Sequence, residues 1–365
     1  MQTIIDNIIQ QPGEQLVDQT SKDYKTDIDV RWCAGCGGYA ILSQVQKIMP
    51  TIGIPREKIV FISGIGCSSR FPYYMNVYGM HTMHGRALAI ASGLKIARPD
   101  LSVWIATGDG DAMSIGGNHL IHAARRNVDM NVLMFNNAVY SLTKGQYSPT
   151  SLEGQITKSS PLGVLDYPFN PASLALGAGA TFVARAYDRD TKMLQRMFKR
   201  AQEHQGFAFV EIYANCVIFN DGAFDVYTKK DSRAEHTVML EHGQPLVFGE
   251  NEDKGIILDG LQPKVVSLVD DNYSKDDLLV HDEKDKNLAS ILANMTYDSN
   301  VPRPMGVFQA LDSKSYDTKV TEQLEHFSKE PGANDIEDLM RGSDFWEIKE
   351  GQSEEEEQEE TADAK

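Results

Sequence analysis

The sequence predicts an α/β protein with a doubly wound parallel sheet, followed by a C-terminal extension and an acidic, disordered tail. Three observations support this prediction. Short apolar runs typical of buried strands alternate with segments of helical period, as in chains built from repeated strand–helix–strand units. After residue 216 this alternation gives way to short apolar runs separated by acidic turns. The last residues are rich in glutamate and have no apolar period.

These changes of pattern divide the chain into four predicted parts. A polar arm covers residues 1–29, and the sheet domain covers residues 30–216. Residues 217–342 are expected to form an α+β region or an extension that wraps a partner chain. The acidic tail covers residues 343–365.

The predicted strands of the sheet domain are short and rich in β-branched and aromatic side chains. We expect them at residues 59–63, 101–107, 131–135, 181–186 and 207–213. Amphipathic segments between them predict helices at residues 39–49, 83–98, 116–127, 170–179 and 190–205.

Composition and charge exclude several classes of function. The chain has 365 residues, and its 52 Asp and Glu against 35 Lys and Arg give a net charge of -17. This negative excess argues against nucleic acid as the main partner. The chain has no apolar run of membrane-spanning length and opens with no secretory signal, so we expect a cytoplasmic protein with no membrane partner.

Two polar motifs follow neighbouring predicted strands: GDGD after the second and NN after the third. Because the carboxyl ends of parallel strands share one edge of a sheet, one ligand can contact both motifs. Gly108 and Gly110 allow the backbone to approach a diphosphate, and Asp109 and Asn137 offer oxygen ligands for Mg²⁺. Either motif alone is an ordinary turn, but the pair at two strand ends favours a cofactor site.

The cysteines form a second candidate site. Cys33 and Cys36 make a CxxC pair flanked by glycines, whereas Cys67 and Cys216 each follow a predicted strand. A reducing cytosol disfavours disulfides, which makes a metal or a cluster the better explanation. Four thiolates can hold a [4Fe-4S] cluster or a structural zinc ion, and the cysteines can also be unrelated buried residues. The thiols themselves do not decide between the first two.

The motif GDG, then a helix, a strand and NN, resembles the thiamine-diphosphate signature, and the continuation VYSLTKGQ is similar to that of the 2-oxoacid:ferredoxin oxidoreductases. The chain looks like the β subunit of this family, which binds the diphosphate, and most of all like the β subunit of its 2-oxoglutarate-specific members. The resemblance implies the thiamine-diphosphate-binding fold. It also implies bound thiamine diphosphate, Mg²⁺, and a [4Fe-4S] cluster on the four cysteines.

The resemblance further implies roles for individual residues. The carbonyl of Val139 is expected to complete the Mg²⁺ ligands together with Asp109 and Asn137. Cofactor contacts are expected from two glycine-containing loops, a histidine and a segment after NN, namely Ile65, Gly66, Cys67, Ser68, His84, Gly108, Gly110, Asp111, Ser141 and Leu142.

His84 and Arg70 each have an ordinary alternative. His84 lies at the start of the helix predicted from residue 83, where it can donate toward a diphosphate or simply cap or pack the helix. Arg70, three residues past Cys67, is expected to bind the distal carboxylate of 2-oxoglutarate. Its alternatives are a surface arginine or a salt bridge to a partner subunit.

The implied reaction is the decarboxylation of a 2-oxoacid on thiamine diphosphate, with electrons passed singly through the cluster to ferredoxin. The acyl group goes to coenzyme A, which yields succinyl-CoA from 2-oxoglutarate, and the reaction can be reversible. The implied partner is an α subunit that carries the glutamate activating the cofactor. Three other functions stay open: a pyruvate-type β subunit, a non-redox thiamine-dependent decarboxylase or ligase subunit with zinc, and a non-enzymatic electron-transfer subunit.

Overall fold

The computed structural model describes residues 19–270, 273–328 and 336–346. The chain forms two compact units, Met1–Lys319 and Val320–Lys365. In the second unit, the described residues comprise the end of one helix and the whole of another. The predictions for residues 1–18 of the arm and 347–365 of the acidic tail lie outside the described residues.

The strands, numbered in chain order, are short and mostly buried. They are β1 (Ile59–Ser63), β2 (Tyr78–His81), β3 (Ser102–Gly108), β4 (Met130–Asn136), β5 (Phe182–Tyr187), β6 (Phe207–Tyr213), β7 (Thr237–Leu240), β8 (Val247–Phe248), β9 (Lys254–Asp259), β10 (Gln262–Ser267) and β11 (Arg303–Ala310).

The α-helices follow the same numbering. They are α1 (Gly38–Ile48), α2 (Ala87–Ala97), α3 (Asp109–Met113), α4 (Gly117–Arg126), α5 (Pro171–Gly177), α6 (Thr191–Glu203), α7 (Asp225–Thr228), α8 (Lys230–His236), α9 (Lys286–Asn294), α10 (Tyr316–Phe327) and α11 (Ile336–Arg341). Short 3-10 turns lie at Met49–Thr51, Arg56–Lys58, Ser68–Tyr74, Lys275–Asp277 and Met295–Tyr297.

An eight-stranded sheet organises the first unit, in the order β2-β1-β3-β4-β6-β5-β11-β7. Every neighbouring pair is parallel except β11 against β5. Side chains alternate between two apolar cores, so that Val60 and Ile62 of β1 face one core while Ile59 and Phe61 face the other. Helices α2, α4, α5 and α9 contribute to the first core, and α1 and α6 to the second. The predicted doubly wound α/β fold is confirmed.

Local chemistry explains several helix ends. The Asp190 side chain accepts a hydrogen bond from the backbone N–H of Met193 and caps α6. Asn170 caps α5, which has Pro171 in its first turn. Asn127 ends α4 in the left-handed conformation, with a φ of 55°.

The prediction of a helix from residue 83 is wrong at its N-terminus. Helix α2 begins at Ala87, because Gly85 takes a φ of +67° that breaks the helical path. A Cβ at Gly85 would lie 2.6 Å from the backbone nitrogen of Gly116, so a side chain has no room at this turn. His84 therefore lies in a turn before the helix.

Residues after 216 form both helices and strands, and two of these strands join the main sheet. Strand β11 pairs with β5, and β7 pairs with β11. Strands β8, β9 and β10 form a separate antiparallel sheet. Among the described residues, no helix is both long and apolar enough to cross a membrane.

The parallel strands β1, β3, β4 and β6 all end at the same edge of the sheet. Four chain segments leave this edge: 64–67, 108–111, 137–142 and 214–216. Ligands in open α/β sheets bind outside such carboxyl ends. The fold thus brings together the segments that carry the sequence motifs.

Candidate active site

A cleft opens at this edge of the sheet. Small ligands and cofactors commonly bind at this place in an α/β sheet. Most of the predicted site residues line the cleft: Cys36, Ile65, Gly66, Cys67, Ser68, His84, Gly108, Asp109, Gly110, Asp111, Asn137, Val139, Ser141 and Leu142. Cys33, Arg70 and Cys216 are not among the lining residues.

Asp109 is the first residue of α3 and is only 3% exposed. Its Oδ2 atom accepts hydrogen bonds from Ser148 Oγ, at 2.5 Å, and from Thr150 Oγ1, at 2.7 Å. Burial raises the pKa of this carboxyl to about 6, and the two hydroxyls oppose that shift. No cationic side chain of the described residues forms an ion pair with it. A buried carboxylate without a cation fits a site for a metal ion.

The chain turns sharply just after β4. Ala138 has a φ of +52°, which directs the following residues along the cleft. The Asn137 side chain accepts a hydrogen bond from the Val139 N–H at 3.3 Å and donates one to Ser141 Oγ at 3.1 Å. From outside the turn, the amide of Asn220 donates to the Asn137 carbonyl at 2.9 Å. The turn therefore holds two predicted metal ligands, Asn137 and Val139, in a fixed loop.

The two glycines of the GDG motif have different neighbours. A Cβ at Gly108 would lie 3.4 Å from Ser68 Oγ, which is ordinary contact. A Cβ at Gly110 would lie 2.2 Å from a ring carbon of Tyr140, whose hydroxyl donates to the Gly110 carbonyl at 3.0 Å. The ring of Tyr140 fills the space beside the Cα of Gly110, which is a further reason for glycine at this position.

Asp111 is 3% exposed and joins three parts of the site. Its Oδ1 atom accepts from the backbone N–H of Ile65 at 3.0 Å, from the backbone N–H of Gly85 at 2.7 Å, and lies 2.7 Å from His84 Nδ1. Its Oδ2 atom accepts from Thr107 Oγ1 at 2.8 Å. Because protein donors already engage both oxygens, the carboxylate holds the cleft loops in place.

The CxxC loop is a tight turn before α1. The Cys36 N–H donates to the Cys33 carbonyl at 3.0 Å, and Gly35 has the φ of +84° that such a turn requires. The Gly38 N–H lies 3.4 Å from Cys36 Sγ and donates to it. Cys33 is exposed, and Cys36 is partly buried.

Backbone bonds attach this loop to the other two cysteine segments. The Gly37 N–H donates to the carbonyl of Asn215, the neighbour of Cys216, at 3.1 Å. The Trp32 indole donates to the Cys67 carbonyl at 2.6 Å.

The four thiols influence one another electrostatically. The pKa of Cys36 is raised to about 11, mainly by burial and to a smaller extent by the Cys67, Cys216 and Cys33 thiols, whereas the Gly38 N–H acts to lower it. Within residues 19–270, 273–328 and 336–346, however, no three His, Cys, Asp or Glu side chains converge as a metal site requires. The chain brings the thiols into one neighbourhood without arranging them as ligands, and a four-thiol donor set there suits either an iron–sulfur cluster or zinc.

Arg70 is exposed on the 3-10 turn that follows Cys67. Its Nε atom donates to the Tyr74 hydroxyl at 3.2 Å, and its guanidinium lies 6.0 Å from the centre of the Tyr73 ring. Burial raises the pKa of Cys67, whereas the positive charge of Arg70 acts to lower it, so the two groups are close.

Sequence reasoning missed several residues of the site. Ser148 and Thr150 lie in the loop after the NN motif, yet their hydroxyls bond to Asp109. Further residues line the cleft that were not among the predicted site residues: Trp32, Gly38, Phe135, Tyr140, Thr143, Ala214 and Asn215.

Comparison with known proteins agrees with this geometry. Residues 64–212 match the family described as thiamine pyrophosphate enzyme, C-terminal TPP binding domain. The 2-oxoglutarate oxidoreductase subunit KorB of Mycobacterium tuberculosis is 48% identical over 335 residues, which cover 90% of this chain and 89% of that protein. The chain belongs to the 2-oxoacid:ferredoxin oxidoreductase β-subunit family. The predicted family and enzyme class are confirmed.

Two further relatives extend the comparison. The 2-oxoacid:ferredoxin oxidoreductase subunit beta of Saccharolobus solfataricus is 36% identical, with 84% of this chain and 90% of that protein covered. A solved structure, the 2-oxoglutarate:ferredoxin oxidoreductase from Magnetococcus marinus with 2-oxoglutarate, coenzyme A and succinyl-CoA bound, matches with a TM-score of 0.72 and 34% identity. That match covers 90% of this chain and 98% of the matched chain. The predicted thiamine-diphosphate-binding fold is confirmed.

Proposed function

We propose that this chain is the β subunit of a 2-oxoglutarate:ferredoxin oxidoreductase, which acts with an α subunit and forms succinyl-CoA. One observation carries the proposal: buried Asp109, which has no cationic partner among the described residues, lines the same cleft as Cys36 and Cys67, two of the four cysteines. The 48% identical relative is named a 2-oxoglutarate oxidoreductase subunit, and the matched structure contains 2-oxoglutarate, coenzyme A and succinyl-CoA. These names support the choice of substrate.

Asp109, the Asn137 side chain and the Val139 carbonyl would hold Mg²⁺, and the metal would hold the diphosphate. Thiamine diphosphate, when bound, supplies a nucleophile for the ketone of the substrate and accepts the electrons left by CO₂. The protein provides a site that is already ordered, because Asp109 and Asn137 are held by hydrogen bonds. Buried Trp32 and Phe135 give the cleft apolar walls that exclude water.

Cys33, Cys36, Cys67 and Cys216 would hold a [4Fe-4S] cluster. A cluster of this kind accepts electrons one at a time and would deliver them to ferredoxin. The Gly38 N–H, 3.4 Å from Cys36 Sγ, is placed to stabilise negative charge on that sulfur. The exposure of Cys33 leaves one side of the cysteine neighbourhood open to a protein partner.

Arg70 would bind the distal carboxylate of 2-oxoglutarate. Three properties support this assignment: the side chain is exposed, it lies close to Cys67 at the border of the cleft, and no acidic side chain in the described part of the chain forms an ion pair with it. A guanidinium can bind a carboxylate through two parallel hydrogen bonds.

The decisive experiment is cofactor analysis and assay of the complete complex, purified without oxygen. We expect iron, acid-labile sulfide, thiamine diphosphate and Mg²⁺, together with ferredoxin reduction that depends on coenzyme A and prefers 2-oxoglutarate. Preference for pyruvate would indicate the pyruvate-type enzyme. Zinc in place of iron would indicate the non-redox enzyme, and a cluster without thiamine diphosphate would indicate an electron-transfer subunit.

The variant Asp109→Ala separates the two cofactors. It should abolish thiamine-diphosphate binding while iron and sulfide stay at their normal content, because only the metal ligand is lost. Asp166→Ala is the matched control: it changes an exposed aspartate in the loop between β4 and α5, and it should behave like the wild type. Unchanged cofactor affinity in Asp109→Ala would exclude this residue as the metal ligand.

A further inference from the structure

A buried chain of hydrogen bonds leads from Asp109 into the middle of the sheet. Thr150 Oγ1 lies 2.7 Å from Asp109 Oδ2 and 2.9 Å from Asn136 Oδ1. The Asn136 amide donates to Glu211 Oε1 at 2.8 Å, and Arg185 Nε donates to Glu211 Oε2 at 2.7 Å. None of these five side chains is more than 3% exposed. Buried polar networks of this kind are ordered when every member has a partner.

Arg185, at the end of this hydrogen-bond network remote from Asp109, is held in a fixed position. Arg185 donates through Nη1 to the Pro304 carbonyl at 3.2 Å and through Nη2 to Thr296 Oγ1 at 3.0 Å. Both oxygens of Glu211 are thus occupied, one by an immobile guanidinium and the other by Asn136. Glu211 therefore holds the Asn136 side chain in one orientation.

Thr150 lies where this hydrogen-bond network reaches the proposed metal site. Asp109 follows β3, whereas Asn136 ends β4 and directly precedes the ligand Asn137. The Thr150 hydroxyl contacts both segments, and the neighbouring Ser151 Oγ donates to the Ala138 carbonyl at 2.7 Å. The two strand ends that carry the proposed ligands are therefore tied together through one loop.

The hydrogen of the Thr150 hydroxyl is available to Asp109. A hydroxyl has one hydrogen to donate, and Thr150 has two acceptors within reach. Asn136 Oδ1 has a second donor, the Ala138 N–H at 3.2 Å, and Asp109 Oδ2 lies at the shorter distance from Thr150. The Thr150 bond to the carboxylate is therefore the stronger one.

We propose that Thr150 is a positioning residue of the metal site, which sets the separation and orientation of Asp109 relative to Asn137 so that both reach one Mg²⁺. This inference rests on the proposed function. Thr150 is not among the residues lining the cleft, so it acts on the metal only through Asp109 and Asn136. Outer partners of this kind change metal affinity by about 10- to 100-fold when removed.

The test measures thiamine-diphosphate binding to the cofactor-depleted complex as Mg²⁺ is titrated, together with the melting temperature. Thr150→Val keeps the shape of the side chain but removes the hydroxyl, and it should need at least about tenfold more Mg²⁺ for half-maximal binding. Thr150→Ser keeps the hydroxyl and should stay within about twofold of the wild type, since hydrogen-bond loss and not packing causes the effect.

Thr157→Val is the matched control, because its hydroxyl lies in the same loop and bonds locally to Ser159 and Ser160. An unchanged Mg²⁺ requirement in Thr150→Val, or an equal loss in Thr150→Ser, would overturn the positioning role alone. A wild-type complex that binds no thiamine diphosphate at any Mg²⁺ concentration would overturn the proposed function as well. If Thr150→Val does not fold, Thr150→Ala replaces it, since it also removes the hydroxyl that bonds to Asp109 and Asn136; an unchanged Mg²⁺ requirement there would overturn the inference.

Discussion

The Nδ1 atom of His84 lies 2.7 Å from Oδ1 of Asp111, and this contact joins a half-exposed ring to a buried carboxylate. The His84 side chain is 40% exposed, whereas that of Asp111 is 2% exposed. Because Nδ1 is engaged with Asp111, the Nε2 atom of the ring is left for a ligand in the cleft. Asp111 therefore orients His84 in addition to holding the backbone at Ile65 and Gly85.

Because Asp111 is buried and holds the backbone whereas His84 is half-exposed, we expect different effects from replacing each of them. Asp111→Ala removes the acceptor for the buried Gly85 N–H and for Ile65, and should lower the free energy of unfolding by on the order of 2–4 kcal/mol. His84→Ala leaves Asp111 with its other donors, so it should cost less than about 1 kcal/mol while weakening thiamine-diphosphate binding. Thermal unfolding and cofactor titration of both variants measure the two effects. Equal destabilisation by the two changes would contradict the assigned roles.

The cysteine neighbourhood predicts a second result. Cys216→Ala removes only one heavy atom, the sulfur, from a buried side chain, so the loss of packing is small. Iron and acid-labile sulfide should nevertheless fall to a small fraction of their wild-type content, because thiolates anchor the cluster. The same loss is expected for alanine at Cys33, Cys36 or Cys67.

Thiamine-diphosphate content serves as the internal control for the cysteine variants, because the proposed Mg²⁺ ligands are not changed. Iron and sulfide analysis with visible spectroscopy gives the readout. Full iron content and full ferredoxin reduction in Cys216→Ala would show that three cysteines or fewer hold the cluster.

The positions of the site loops could be predicted because they depend on local sequence. β1 and β6 have the same bounds in sequence and structure, since each is a mainly apolar run, interrupted in β6 by Glu211. Once the strands are parallel, their carboxyl ends must share one edge. That rule predicts that the GDG and NN motifs and the cysteines after β1 and β6 lie at the same edge of the sheet.

Contacts between distant parts of the chain could not be predicted in the same way. Gly110 is constrained by the ring of Tyr140, thirty residues later, and no local pattern signals that contact. Ser148 and Thr150 bond to Asp109 across about forty residues, yet in sequence they look like ordinary loop hydroxyls. The start of α2 was misplaced because an apolar period continues through Gly85, where the backbone conformation rules out a helix.

His281 predicts how stability depends on pH. The residue is fully buried; its Nε2 donates to the Val307 carbonyl at 2.8 Å, and its Nδ1 has no hydrogen-bond partner among the residues that the structure describes. Burial lowers the pKa of His281, so the folded protein keeps the ring neutral at a pH where the unfolded chain already binds a proton. The stability that this residue contributes is therefore present above its unfolded pKa of about 6.5 and is lost as pH falls below it.

His281→Gln removes this titration and retains a donor for Val307. Between pH 7.5 and 5.5 the wild type should lose about 1 kcal/mol more stability than the variant, since one proton difference is worth about 1.4 kcal/mol per pH unit. Denaturant unfolding at several pH values measures the difference. Parallel curves for the two proteins would show that His281 takes up a proton without cost.

Arg70 predicts the choice of substrate. Pyruvate carries one carboxylate, whereas 2-oxoglutarate carries a second one, which is costly to desolvate without a cationic partner. The Arg70 guanidinium is exposed and bonds within the described residues only to the Tyr74 hydroxyl, which leaves its Nη atoms for a ligand. We expect Arg70→Leu to raise the KM for 2-oxoglutarate at least about tenfold, because a charge-assisted pair is worth on the order of 2 kcal/mol.

The pattern of effects across substrates and variants decides between a substrate contact and a subunit contact. Arg70→Leu should have little effect on pyruvate or 2-oxobutyrate, since neither has a second carboxylate to lose a partner. Arg31→Leu is the matched control: Arg31 is also an exposed arginine near a cysteine loop, with a side chain 68% exposed, and it should leave both substrates unaffected. If Arg70→Leu reduced activity equally with 2-oxoglutarate and with the monocarboxylates pyruvate and 2-oxobutyrate, the guanidinium would instead be assigned to packing against the partner subunit. If the wild type preferred pyruvate, Arg70 could not have the proposed role, because pyruvate has no distal carboxylate for it to bind.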